Sequence, residues 1–306
     1  MIGLEIYTKE FEQEYLNVVK KNVSIDLQSK ILNSCMRYLP FNFFVNNYNK
    51  FDQLILAQFS KLNEAYLYIN NNSIVNMKNQ CFKYNSNTCN SLYKTYIKKY
   101  SNITQSVNNG KKLNVRIVEN LNLLVCPYCN REYVNSRDKR CSGAQLDHFY
   151  NKNMYPIFAL SLYNLVPVCS NCNRIKSNSN KMFASPFDTN INWENEVKFE
   201  FKTKGTSIDK ILISSENKKI NNNIEQMKIQ ESYQIHLSDL NKLQEKIEAY
   251  SDTQIQEFKK SLATKNISED YIKEIIFGSK IDYKSIKNKS LGRMLRDFYR
   301  MYKIYE

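Results

Sequence analysis

Cys126-Pro-Tyr-Cys129 and, after 39 intervening residues, Cys169-Ser-Asn-Cys172-Asn-Arg-Ile-Lys176 enclose the dipeptide Asp147-His148. Two C-x-x-C knuckles can converge on one ion, because each two-residue turn aims two thiolates at a point about 2.3 Å from a zinc. Such a centre ties together the ends of the segment that carries Asp147 and His148. The chain has only two histidines, and one of them stands beside an acid inside that segment, which makes it a candidate catalyst. The cysteines alone argue for structural zinc and nucleic-acid binding rather than for catalysis.

Between the knuckles the chain reads Gln145-Leu-Asp-His-Phe-Tyr-Asn-Lys-Asn-Met-Tyr-Pro156, then Ala159-Leu-Ser-Leu-Tyr-Asn-Leu-Val-Pro-Val-Cys169. The order C-x-x-C, D-H, a central Asn in N-L-x-P, and C-x-x-C-N-x-x-K resembles the HNH endonuclease family in its zinc-stapled form, over about 60 of the 306 residues. Tyr155-Pro156, Leu160 and Asn164-Leu165 are similar to the branch found in bacterial restriction and anti-phage systems, such as the Septu type. Asn151-Lys-Asn153 departs from the Pro-Lys-Ser type of turn usual there.

The resemblance implies a ββα-metal hairpin with Asp147 and His148 ending its first strand. Asn164 then braces the loop that orients the histidine, and Asn173 opens the helix and faces Asp147 across a catalytic metal. Cys126, Cys129, Cys169 and Cys172 hold the structural Zn²⁺, and Asp147 and Asn173 hold the catalytic Mg²⁺ or Mn²⁺. Family members of this branch work with an ATPase partner, and the chain has no G-x-x-x-x-G-K-[ST] loop of its own. One such site cuts one strand, so a double-strand break needs a homodimer or two successive nicks.

The residues carry the same chemistry without the family name. Phosphodiester hydrolysis needs an activated water and neutralisation of charge on the pentavalent phosphate and the leaving oxygen. Asp147 and Asn173 offer hard oxygens suited to Mg²⁺ or Mn²⁺. His148, ordinarily titrating near pH 6.5, is the candidate general base. Lys176 lies one helical turn beyond Asn173 and is expected to reach a phosphate near the scissile bond, with Arg174 a weaker candidate. Cys141 reads as a small loop or core residue, and Cys35, Cys81 and Cys89 as reduced thiols. His236 reads as a helix-start or packing residue, and Asp188 as the beginning of the next element.

Composition fits an acidic polymer as partner: 44 basic against 30 acidic residues, a net charge of +14 and a pI near 9.2. Residues 116–181 alone hold nine Lys or Arg against four Asp or Glu. DNA is favoured over RNA. The competing readings are an RNase using the same chemistry and a non-catalytic zinc-ribbon nucleic-acid-binding adaptor. No stretch reaches the roughly 18 unbroken apolar residues of a membrane span, and the first residues lack a signal-peptide core, so a cytoplasmic location is expected.

The expected architecture is α+β and mostly helical, in three parts. Residues 1–114 are helical, with stripes at Phe11, Tyr15 and Val18 or Val19, then Ser24 capping Ile31, Leu32, Cys35 and Leu39, then a third from Phe51 through Leu54, Ile55, Phe59 and Leu62 to Tyr66. Asn108 to Lys112 forms an exit loop, and Val115 to Val125 delivers the chain to the first knuckle. Residues 115–190 form the zinc-stapled core. In 191–306, Val197, Phe199 and Phe201 with Ile211, Leu212 and Ile213 flank a turn at Gly205, which predicts a small hairpin. A helical stripe from Leu240 to Leu262 follows, then a helix ending near Gly278. A last helix, opened by Ser290, carries Arg293, Arg296, Arg300 and Lys303 away from its apolar side, as a solvated face ahead of a docking surface for nucleic acid or a protein partner.

Overall fold

The computed structural model describes residues 1–71, 87–177, 181–261 and 267–305, with the backbone alone at 87–91 and 252. Among the described residues helices dominate, and three two-stranded antiparallel sheets interrupt them. The first helix, α1 (Lys9–Asn22), begins where the Thr8 hydroxyl accepts from the Phe11 amide, and Glu10 and Glu12 in its first turn and Lys20 and Lys21 in its last complement its dipole. Ser24 caps α2 (Ile25–Cys35) in the same way through the Leu27 amide. Phe11, Tyr15, Val19, Ile31 and Cys35 turn inward, and Leu39 is buried beyond the helix end.

The third expected stripe is two helices, α3 (Lys50–Ile55) and α4 (Phe59–Asn71). An unbroken helix would give the Leu54 carbonyl to the Gln58 amide; here it accepts from the Ser161 hydroxyl at 2.9 Å. Apolar periodicity survives such a break, since Phe51, Leu54, Ile55, Phe59 and Leu62 are all buried. Helix α5 (Asn87–Gln105) leads to a tight hairpin of β1 (Val107–Asn108) and β2 (Lys111–Lys112). Asn109 and Gly110 at its turn both have positive φ, so the expected exit loop is a short hairpin. Helix α6 (Leu113–Asn120) then delivers the chain to the first knuckle.

The central unit is β3 (Gln145–His148) paired antiparallel with β4 (Leu165–Val168), followed by α7 (Ser170–Lys176). The amino-terminal helices grip it by buried hydrogen bonds: Tyr15 Oη to the Leu160 carbonyl at 2.9 Å and Tyr163 Oη to Glu12 Oε1 at 2.7 Å.

Beyond it, α8 (Trp193–Glu196) precedes the predicted hairpin, β5 (Lys198–Lys204) with β6 (Ser207–Ser214). Phe199, Phe201, Ile208, Ile211 and Ile213 form its buried face. The cover comes from α11 (Leu237–Ala249), which follows α9 (Lys218–Gln226) and α10 (Ile229–Tyr233), and from the last helix. Between them lie α12 (Asp252–Ser261) and α13 (Glu269–Phe277), the latter meeting Gly278 as expected; Leu262 lies outside the described residues.

The last helix, α14 (Gly292–Met301), corrects the sequence reading twice. Ser290 does not cap it, because its hydroxyl is spent on the Arg131 carbonyl. The cap comes from Asn130, whose Oδ1 accepts from the Arg293 amide at 2.8 Å. Nor is the basic row a solvated face throughout: Arg300 and Lys303 are exposed as expected, but Arg293 is wholly buried and Arg296 is 3% exposed. The Arg293 guanidinium closes the end of α8 through the carbonyls of Trp193 (2.6 Å), Glu194 (2.8 Å) and Val197 (2.6 Å). A cation is favourable at a helix carboxyl end, and these acceptors repay its desolvation. Burial pushes the guanidinium down to about 10, still charged at neutral pH.

Candidate metal centre and adjoining cleft

The four knuckle cysteines are all buried, and their Sγ atoms lie within 4.8 Å of one another. Tetrahedral sulfur ligands about 2.3 Å from a zinc are roughly 3.8 Å apart, so the cluster is of a size to hold a metal ion such as zinc. Backbone geometry builds it. The Asn130 amide turns back to the Cys126 carbonyl at 2.7 Å, with Asn130 at φ 53°. Across from it Cys169 is the amino-terminal cap of α7, and its Sγ accepts from the Cys172 amide at 3.4 Å. The hairpin register, Gln145 with Val168 through His148 with Leu165, places Asp147 and His148 on the strand beside this helix.

Asp147 is 5% exposed and fully partnered. Its Oδ2 accepts from Tyr128 Oη at 2.7 Å and lies 2.9 Å from Lys176 Nζ; its Oδ1 accepts from the same ammonium at 3.1 Å. Burial and the neighbouring carboxylate push the Tyr128 phenol well above its usual range, so it remains a donor. Lys176, expected to reach outward to phosphate, is 3% exposed. Its remaining donor capacity goes to the carbonyls of Phe149 (3.1 Å) and His148 (3.4 Å), and the rings of Phe149 and Phe183 cover it.

His148 is less deeply placed and faces an open cleft of about 230 Å³. Its Nε2 lies 3.0 Å from the Ala159 carbonyl, an acceptor only, so Nε2 carries the proton and Nδ1 the free lone pair. Burial, with the Lys152 charge adding to it, pushes the imidazole down to about 4, so the ring is neutral at physiological pH. Asn164, fully buried, joins the two segments that set this geometry. Its Nδ2 donates to the Tyr150 (3.1 Å) and Phe158 (3.0 Å) carbonyls, and its Oδ1 accepts from the Tyr150 amide at 2.7 Å.

Asn173 lines the same cleft as Asp147 and His148, and its Nδ2 donates to Gln145 Oε1 at 2.8 Å. Arg174 is exposed and bonds Asn171 at 3.4 Å. The other candidates stay away from the cleft. Cys141 is exposed, and burial pushes the Cys35 thiol up to about 12. Cys81 and the side chain of Cys89 lie outside the described residues. His236 pairs with Asp239 at 3.2 Å where α11 begins, and Asp188 caps its own turn through the Asn190 amide at 3.1 Å.

Sequence reasoning passed over Tyr128, Tyr100 and Lys152. Tyr128 sits inside a knuckle, between two ligand positions, where spacing rules read only the cysteines. Tyr100 comes from α5, and its ring lies 4.5 Å from the His148 ring; no local pattern links it to a residue 48 positions on. No family model, curated protein or solved structure matches the chain. Among the described residues no helix is long and apolar enough to cross a membrane.

Proposed function

We propose that this chain is a metal-dependent HNH-type endonuclease that hydrolyses phosphodiester bonds, with DNA the favoured substrate and bacterial restriction or anti-phage defence the setting. One observation carries the reading: a neutral imidazole, its Nε2 fixed by the Ala159 carbonyl and its Nδ1 lone pair free, lines a cleft with Asp147 and Asn173 on a hairpin and helix joined by a metal-binding cysteine cluster. By donor type the residues suit both ions, the Asp147 oxygens being held here by Tyr128 and Lys176. The cysteines would hold structural zinc, and the Asp147 and Asn173 oxygens would hold Mg²⁺ or Mn²⁺, which supplies charge neutralisation at the phosphate and leaving oxygen.

The chain's own residues do the rest. His148 Nδ1 accepts the proton of the attacking water, and the Ala159 carbonyl steadies the imidazolium that forms. Asn164 keeps donor and carbonyl in register. Tyr128 and Lys176 fix the rotamer of Asp147. A second copy or a second nick completes a double-strand break, and an ATPase acting in trans is the partner this reading calls for.

A second reading, a zinc-stapled nucleic-acid-binding adaptor, is favoured by one fact: both Asp147 oxygens are already engaged and Asn173 is turned to Gln145. The two are separated by incubating wild type and His148→Ala with supercoiled plasmid, single-stranded DNA and tRNA, with Mg²⁺, Mn²⁺ or no divalent ion. The nuclease reading expects metal-dependent cutting by wild type alone, and the preferred substrate decides between DNA and RNA. Tight binding without cutting by either protein would leave the adaptor.

A further inference from the structure

The motif lysine is inside, so some other cation must meet a phosphate drawn into the cleft. Lys176 spends its ammonium on Asp147 and on the carbonyls of Phe149 and His148. Arg174 does not line the cleft and is turned to Asn171. Among the described residues lining the cleft, Lys152 is the one lysine or arginine. It sits in the Asn151-Lys-Asn153 turn, half-buried, with its Nζ 5.1 Å above the centre of the Tyr100 ring. The other side of this arrangement is the catalytic candidate, since the Tyr100 and His148 rings are 4.5 Å apart. No described carboxylate pairs with Lys152.

We propose that Lys152, set by the Tyr100 ring, is the residue that binds the phosphate of the substrate strand beside His148, and that Lys176 is a positioning residue for Asp147. The inference rests on the nuclease reading and assigns the substrate contact within it. A cation held over an aromatic face keeps its charge while losing rotamer freedom, so less entropy remains to be lost when phosphate arrives. Lysine meets phosphate as a point charge, which makes the contact indifferent to sequence and sensitive to salt.

The test is equilibrium binding of labelled single-stranded and duplex DNA to the full zinc-loaded chain, without added Mg²⁺ or Mn²⁺, across a salt series. Wild type is compared with Lys152→Gln, Lys152→Arg and Lys204→Gln, the last removing an exposed lysine at the tip of the β5–β6 hairpin. Losing one phosphate contact flattens the slope of log affinity against log salt by about one. The expected result is that flattening, with severalfold weaker binding at low salt, in Lys152→Gln alone, and recovery in Lys152→Arg. Coincident melting curves exclude misfolding. If wild type binds and Lys152→Gln keeps both its affinity and its slope, the assignment falls and the nuclease reading stands. If wild type binds neither DNA, the reading falls and takes the assignment with it.

Discussion

The same hairpin and helix present two chemically opposite centres. The cysteine cluster is closed: four buried sulfur atoms lie within 4.8 Å of one another, enough to surround one ion. The cleft a few residues away is open, and its histidine keeps a lone pair unspent. Closed coordination holds a fold together, whereas an open position does chemistry. Asp147 stands between the two regimes. By position it belongs to the cleft, yet its carboxylate is treated as a structural group by Tyr128, a residue of the closed centre's own knuckle.

Breaking the closed centre should have the largest effect. Structural zinc contributes about 10–16 kcal/mol in small metal-folded units, comparable to a whole domain's stability of about 5–15 kcal/mol. Cys126→Ser, or stripping the metal from wild type with a strong chelator, is therefore expected to abolish the cooperative thermal transition of the central unit. A chelated protein that still melts as wild type does would show that the cysteines do not depend on an ion.

Next comes the carboxylate between the centres. Removing either partner of the buried Asp147–Lys176 pair strands the other charge, so Asp147→Asn or Lys176→Met should each cost about 3–5 kcal/mol in urea unfolding. The double variant Asp147→Leu with Lys176→Met should recover most of that loss, since no charge is left buried. Additive losses would mean that the pair is not the unit it looks to be.

The smallest effect belongs to the open side. Folding lowers the His148 pKa from about 6.5 to about 4, so the unfolded chain takes up a proton that the folded ring refuses. The associated stability is therefore complete above about pH 6.5 and is lost as pH falls toward 4, by about 3 kcal/mol in all. The difference in unfolding free energy between wild type and His148→Ala should follow that window, and the His148 ring resonance should titrate near pH 4. A midpoint near 6.5 would mean the ring is as wet as a surface histidine.

The sequence was legible wherever the residues of one site or one element stand at short spacings. The C-x-x-C pairs come together, Asp147, His148 and Asn173 line one cleft, and the Phe199, Phe201 and Ile211 alternation becomes the second hairpin. It was illegible where a side chain's partner lies far along the chain. Helical spacing put Lys176 on the face of Asn173, but whether that face meets solvent was decided by Phe149 and Phe183. Arg293 and Arg296 read as part of a wet face, as Arg300 is, because their acceptors are main-chain carbonyls in and just beyond α8, and carbonyls leave no mark in an amino-acid sequence.

Asn130 gives this a kinetic side. It follows the first knuckle directly, and it supplies the first turn of α14 with its cap from 163 residues upstream. Closing a loop of that length costs conformational entropy before any contact repays it, and helix nucleation is already unfavourable without a cap. The left-handed turn at Asn130 that presents the cap is also the turn that closes the knuckle. A refolding chain is therefore expected to gain its last helix only after the Asn130 turn has closed, and, where an ion closes the cysteine cluster, at a rate that rises with the supply of that ion.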